Sequence, residues 1–202
     1  MTMKLHGFPG TRSNRVRWML EEVGAEYEFV HVELLKGGHK SPEYLAKYPH
    51  GRVPYFEDGQ NVVFESCAAL LYLADKFPEK KLAPPAEGGA RAAYYQWIVY
   101  AAASLDKPVI DTYFHKVILP EDKRKPEVVA EHKPVLDAAL RILEPALKGR
   151  KYLLGDGFSA ADIAIGYSLN LIEKSGCLVD APSAAAFLAR VRERPAFQKV
   201  YA

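Results

Sequence analysis

Apolar residues along the first third of the chain switch repeatedly between the two-residue period of strands and the 3.6-residue period of helices. Residues 4–7 carry a short strand signal and lead into Phe8-Pro9-Gly10-Thr11-Arg12, a loop rich in turn formers. Val16, Met19, Leu20 and Val23 then recur at helical spacing, with Ser13 or Asn14 available to cap the helix and Gly24 to end it. Residues 27–33 are β-branched and aromatic, so the opening unit reads strand, helix, strand, the order of a parallel crossover. Ser41-Pro42-Glu43 sets a cap and a first-turn proline before a short helix through Tyr48, which Pro49 ends. Tyr55-Phe56-Glu57 and Val62-Val63-Phe64 flank Asp58-Gly59-Gln60-Asn61, and Asp-Gly between apolar runs predicts a hairpin. Immediately after it Cys67, Leu70, Leu71, Ala74 and Phe77 return to helical spacing, with Ser66 where the helix begins. The order βαβαββα over residues 1–79 is that of a thioredoxin-like domain.

From residue 78 to 89 the composition turns to Pro, Lys, Glu and Gly, and residues 80–89 read as a linker. Beyond it no strand signal stands out. Residues 90–114, 128–147, 159–175 and 183–194 all carry helical patterning, which predicts an all-helical domain over 90–202. Pro108 requires either a kinked helix or two helices meeting. Ser159-Ala160-Ala161-Asp162 approximates a capping box with Asp in place of Glu or Gln, and Phe158 and Ile163 occupy the staple positions. The fold class expected is α/β plus all-α.

Composition narrows the function. With 49% hydrophobic residues in 202, the chain can build a substantial core. A net charge of +2, from 27 basic and 25 acidic residues, gives no general attraction to nucleic acid or to a membrane surface. The cluster Arg12, Arg15, Arg17 reads as a solvated helix face. No apolar run has the length of a membrane span, the first residues lack a signal-peptide core, and Cys67 and Cys177 have no metal or redox spacing. These features predict a cytoplasmic protein with reduced thiols. The histidines show no ligand spacing, so no metal is expected.

The chemistry concentrates at residues 51–77. Pro54 stands at a strand entrance, where a proline without a ladder donor predicts a cis peptide after Val53. Ser66 opens a helix whose free N–H groups and dipole suit a carboxylate. Val53-Pro54, strand, turn, strand, Glu65-Ser66 and helix, in that order, resemble the glutathione-binding half of the soluble glutathione transferases, and Phe158-Ser159-Ala160-Ala161-Asp162-Ile163-Ala164 resembles a buried helix start in their second domain. The resemblance implies that Val53, before cis-Pro54, pairs its backbone with the cysteinyl part of glutathione and that Glu65 and Ser66 hold the γ-glutamyl end. It further implies that His39, Lys40 and Arg52 meet the glycyl carboxylate, and that the protein is a homodimer with glutathione as co-substrate.

Three positions set the expected subtype. Gly7 stands where tyrosine-type members carry their activating tyrosine, and Arg12 where cysteine-type relatives carry their nucleophile. Thr11 matches the serine of serine-type members, so the chain resembles bacterial and theta-like enzymes of serine or threonine type. A hydroxyl there matters because a thiol with pKa about 8.5 is only a few per cent thiolate at pH 7. Thr11 is the expected thiolate-stabilising donor and Ser13 the second candidate, although both also suit a helix cap. Phe8 and Tyr113 are expected at an apolar pocket for the electrophile. The expected activity is transfer of glutathione sulfur to small hydrophobic electrophiles. Glutathione-dependent isomerase or peroxidase activity on the same site, and a non-catalytic interaction module, are the alternatives.

Overall fold

Strand β1, Met3–Gly7, is paired on both sides: with β2 (Tyr27–His31) in parallel and with β3 (Tyr55–Asp58) antiparallel, while β4 (Asn61–Phe64) completes the sheet order β2-β1-β3-β4. The computed structural model describes residues 2–202. Parallel pairing of β1 with β2 follows from α1 (Ser13–Val23) crossing between them. Leu5 of β1 is fully buried, as are Val16, Met19 and Leu20 of α1 and Leu70 and Leu73 of α3 (Ser66–Lys76). His6, its neighbour in the strand, points to the opposite face and meets Tyr44 and Tyr55 edge-on at 6.4 and 5.5 Å. There Val32, Tyr44, Tyr48, Val53 and Tyr55 form a second cluster, against which Phe8 packs. Short α2 (Pro42–Lys47) is capped by the Ser41 hydroxyl, which accepts from Tyr44 N at 3.2 Å. Asp58 ties the hairpin to α3 by accepting from the Tyr72 hydroxyl at 2.6 Å and from Lys76.

The mixed sheet and its helices bear out the thioredoxin-like expectation. Differences lie at the ends. β2 stops at His31, two residues short of the patterned run, although Val32 N still donates to Gly7 O at 2.8 Å. Neither Ser13 nor Asn14 is the cap of α1; Arg12 holds that position, and the Thr11 hydroxyl accepts from Ser13 N at 3.3 Å in place of a side-chain cap at residue 12.

The chain divides into two compact units, with Lys81 the last residue of the first part and Leu82–Arg194 forming the second unit. Pro195–Ala202 joins the first unit, not the helical one, which corrects the expected span of 90–202. The reason is α9 (Pro195–Tyr201), whose Phe197 meets the fully buried Trp18 of α1 edge-on at 4.9 Å and stacks on Tyr201 at 4.1 Å. Leu82, inside the expected linker, is buried, and its carbonyl accepts from Ala160 N at 2.8 Å, so the second unit begins there.

In the second unit α4 (Gly89–Tyr100) runs through a π-helical stretch, Ala101–Leu105, into α5 (Asp106–Tyr113) and a second such stretch, Phe114–Ile118. One interrupted helix therefore resolves the choice at Pro108, whose missing N–H and ring are accommodated by the widened turn before it. α4, α5 and α8 (Pro182–Arg192) pack against α7 (Ala160–Lys174), in which every residue from 160 to 172 is buried, and α6 (Pro126–Leu147) packs on α5 and α8. Among the described residues no helix is long and apolar enough to cross a membrane.

Candidate active site

The starts of α1, β3 and α3 converge in the first unit on a small cleft lined by Arg12, Tyr48, Arg52, Val53, Pro54, Glu65 and Ser66. The Val53-Pro54 bond is cis. Tyr55 is the first residue of β3 in the ladder, paired with His6 and Phe64, so Val53 lies just ahead of the sheet's hydrogen-bonded register.

Glu65 is held at φ 69° and ψ 112°, where a side chain is strained by about 1–3 kcal/mol. That conformation turns the chain sharply from β4 into α3 and delivers Ser66 to the helix start. Ser66 is buried, and its hydroxyl oxygen accepts from Arg15 Nη1 at 3.0 Å. With that lone pair occupied, its own proton is available to a ligand. Arg15 is fully buried and also donates to Cys67 Sγ at 3.4 Å. A guanidinium charge thus stands behind the N-terminus of α3, adding to the helix dipole that favours an anion at Ser66.

Tyr48 is buried and stacks on Tyr55 and Phe64. Burial pushes its hydroxyl pKa up, Glu65 pushes it further, and Arg52 and Arg12 pull it down. These opposing influences place both arginines and the Glu65 carboxylate within electrostatic reach of one phenol.

The loop before α1 is closed by its own hydroxyls. Thr11 Oγ1 donates to Phe8 O at 2.6 Å and lies 2.9 Å from Ser13 Oγ, which accepts from Phe8 N at 3.3 Å. A hydroxyl has one proton, so the short bond to Phe8 O takes that of Thr11 and Ser13 supplies the proton between the two oxygens. Ser13 is fully buried and Thr11 half-buried. Gly7 sits against this loop: a Cβ there would fall 2.6 Å from Ser13 Cβ and 2.9 Å from Phe29, which explains why no larger residue occupies the position.

His39 and Lys40 lie on a 3-10 turn, Gly38–Lys40, outside the lining of the cleft. They approach it through Gly51, whose φ of 56° and lack of Cβ let its backbone pass close to His39 O, while Lys40 Nζ donates to His50 O at 3.1 Å. Phe8 packs on the tyrosine cluster with its ring 5.2 Å from that of His31, and Tyr113, half-buried, ends α5 in the other unit. Neither lines the cleft.

Sequence reasoning missed Arg12, Arg15 and Tyr48 as members of this region. Arg12 and Arg15 pattern as a solvated face, whereas one lines the cleft and the other is buried beneath it; the available signal is Arg15 beside the apolar stripe residue Val16. Among the described residues no group of three His, Cys, Asp or Glu side chains is gathered as a metal site.

The four-stranded sheet and its helices define a thioredoxin-like fold with a cis-proline at the cleft, and comparison with known proteins narrows the class. The model of the glutathione S-transferase N-terminal domain matches residues 1–75 and that of the C-terminal domain residues 107–195. Glutathione S-transferase 3 of Zea mays is 32% identical over 99% of this chain and 93% of its own. Among solved structures, glutathione S-transferase-I bound with lactoylglutathione superimposes with a TM-score of 0.87 at 30% identity, covering 100% of this chain and 99% of that one. A family member from Pseudomonas fluorescens with two glutathione molecules bound gives 0.88 at 26% identity, over 99% and 92%. The chain belongs to the glutathione S-transferase family.

Proposed function

We propose that the protein binds glutathione in the cleft at residues 53–66 and transfers its sulfur to small hydrophobic electrophiles. The observation that carries this reading is the convergence of cis-Pro54, Glu65 and the Arg15-held Ser66 on one cleft. Val53 pairs its backbone with the cysteinyl residue, Glu65 faces the γ-glutamyl ammonium, and Ser66 with the α3 N-terminus faces its carboxylate. His39, Lys40 and Arg52 draw the glycyl carboxylate. The bound thiol loses its proton to solvent, and the thiolate pair forms a bond to the electrophilic carbon as the leaving group departs or the adduct takes up a proton.

Thr11, backed by Ser13, is the hydroxyl donor in this reading, which makes the enzyme serine or threonine type. Its proton turns from the neutral Phe8 carbonyl to a thiolate, an exchange favoured because charge-assisted hydrogen bonds are roughly twice as strong as neutral ones. Phe8 contributes apolar surface for the electrophile from the first unit. A cytoplasmic homodimer is the working form; Val62 and Phe64 of β4 leave about half of their apolar side chains exposed, surface that a second copy can cover.

Initial rates of thioether formation from glutathione with aryl halides and unsaturated carbonyls test the activity, with organic hydroperoxides and cis-alkene acids assayed in parallel. Thioether formation as the fastest reaction is expected; turnover of hydroperoxides or cis-alkene acids alone would reassign the site to reduction or isomerisation.

A further inference from the structure

We infer that Arg12 supplies the positive charge that stabilises the glutathione thiolate, acting beside the Thr11 hydroxyl; this rests on the assignment of glutathione to the cleft. Arg12 is the N-cap residue of α1 and lies between Thr11 and Ser13, whose hydroxyls are tied to each other and to Phe8. Of Thr11, Arg12 and Ser13 it is the residue that lines the cleft, sharing the wall with Val53, Pro54, Glu65 and Ser66.

The division of the ligand's charges assigns it to the sulfur. The γ-glutamyl carboxylate falls to Ser66, with Arg15 bonded behind it. The glycyl carboxylate falls to the side of Arg52, next in sequence to Gly51 and the His39 turn. The cysteinyl residue, which the proposed function pairs with Val53, lies between those two ends, and Arg12 shares the cleft wall with Val53. A guanidinium has five N–H donors, so bonds to neighbouring protein groups leave others for a ligand. It also keeps its charge at every relevant pH, which a hydroxyl donor lacks altogether. An opposite charge within about 4–6 Å lowers an acid's pKa by about 1–3 units, and a drop of about two units converts a thiol of pKa about 8.5 from mostly protonated to mostly thiolate at pH 7.

The alternative is that Arg12 reinforces the γ-glutamyl carboxylate. Thiolate absorbance of bound glutathione against pH separates the two when combined with calorimetric affinity for S-methylglutathione, whose sulfur cannot ionise. In Arg12→Gln the bound thiol pKa is expected to rise, leaving about tenfold less thiolate at pH 7, while S-methylglutathione affinity stays within about threefold of wild type. Arg12→Lys is expected to restore most of the thiolate. Retained S-methylglutathione binding also shows that the variant site is folded. An unchanged thiol pKa in Arg12→Gln would overturn the inference, and an equal loss of affinity for both ligands at unchanged pKa would assign Arg12 to the carboxylate. No glutathione binding by the wild-type protein would overturn the functional reading itself, a result distinct from failure of the arginine's role.

Discussion

Ser66, at the proposed glutathione site, is held by a bond that reaches across 51 positions of sequence to Arg15. Arg15→Lys keeps a charge but loses the planar fork that serves both the Ser66 hydroxyl and Cys67. Calorimetry should show glutathione affinity falling by about 1 kcal/mol, and Ser66→Ala, which removes the hydroxyl itself, by about 1–3 kcal/mol. Equal affinity in Arg15→Lys and wild type would mean that Arg15 serves only packing. The residues legible in the sequence were those whose chemistry is local. Pro54 at a strand entrance and Ser66 at a helix start announce themselves within a few neighbours. Arg12 and Arg15 sit at the start of one helix, and apart from the place of Arg15 beside Val16 nothing local separates them; the packing of α1 on α3 buries Arg15, and Arg12 lines the cleft.

Among the elements, α7 shows a start encoded by its own residues. Asp162 accepts from Leu153 N at 2.8 Å, Ser159 N at 2.8 Å and Ser159 Oγ at 3.0 Å, all without exposure. Burial pushes its pKa up to about 6 from an ordinary 3.8, against the pull of those donors and of Arg194. Between these two values the folded state holds a proton that the unfolded chain has released, so stability falls as pH rises through the window and levels above it. Denaturant unfolding from pH 4 to 7 should show this slope in wild type relative to Asp162→Asn. Asp162→Asn should still be the less stable protein by about 1–3 kcal/mol, because one donor-facing oxygen becomes an amide. A difference between the two that is flat with pH would contradict the shifted carboxyl. Capping of α8 was not legible: Glu144, 39 positions earlier, accepts from Ser183 N at 2.9 Å and from Ala184 N at 3.1 Å. Glu144→Ala should cost about 1 kcal/mol in denaturant unfolding, as loss of a helix cap does. The kink at Pro108 was legible as a break but not as a π-helical turn, since a widened turn leaves the apolar period nearly intact.

Across the whole molecule the sequence separated a mixed sheet domain from a helical one because the patterning loses its strands after residue 77. It did not show that the last eight residues return to the first unit, because a seven-residue helix has no distinctive period and its partner Trp18 lies at the other end of the chain. Removing Pro195–Ala202 should expose Trp18, which has no exposure in the intact protein, and lower the melting temperature with a red shift of tryptophan fluorescence. An unchanged melt and emission would show that α9 contributes nothing to the first unit. The central claim is that the cleft at Val53, Glu65 and Ser66 is a glutathione site. Its most direct test is calorimetric titration of glutathione into the wild-type protein and into Ser66→Ala and Glu65→Gln. Saturable binding by wild type and affinity reduced by about 1–3 kcal/mol in each variant is the predicted result; no binding by wild type, or the same affinity in all three, would contradict it.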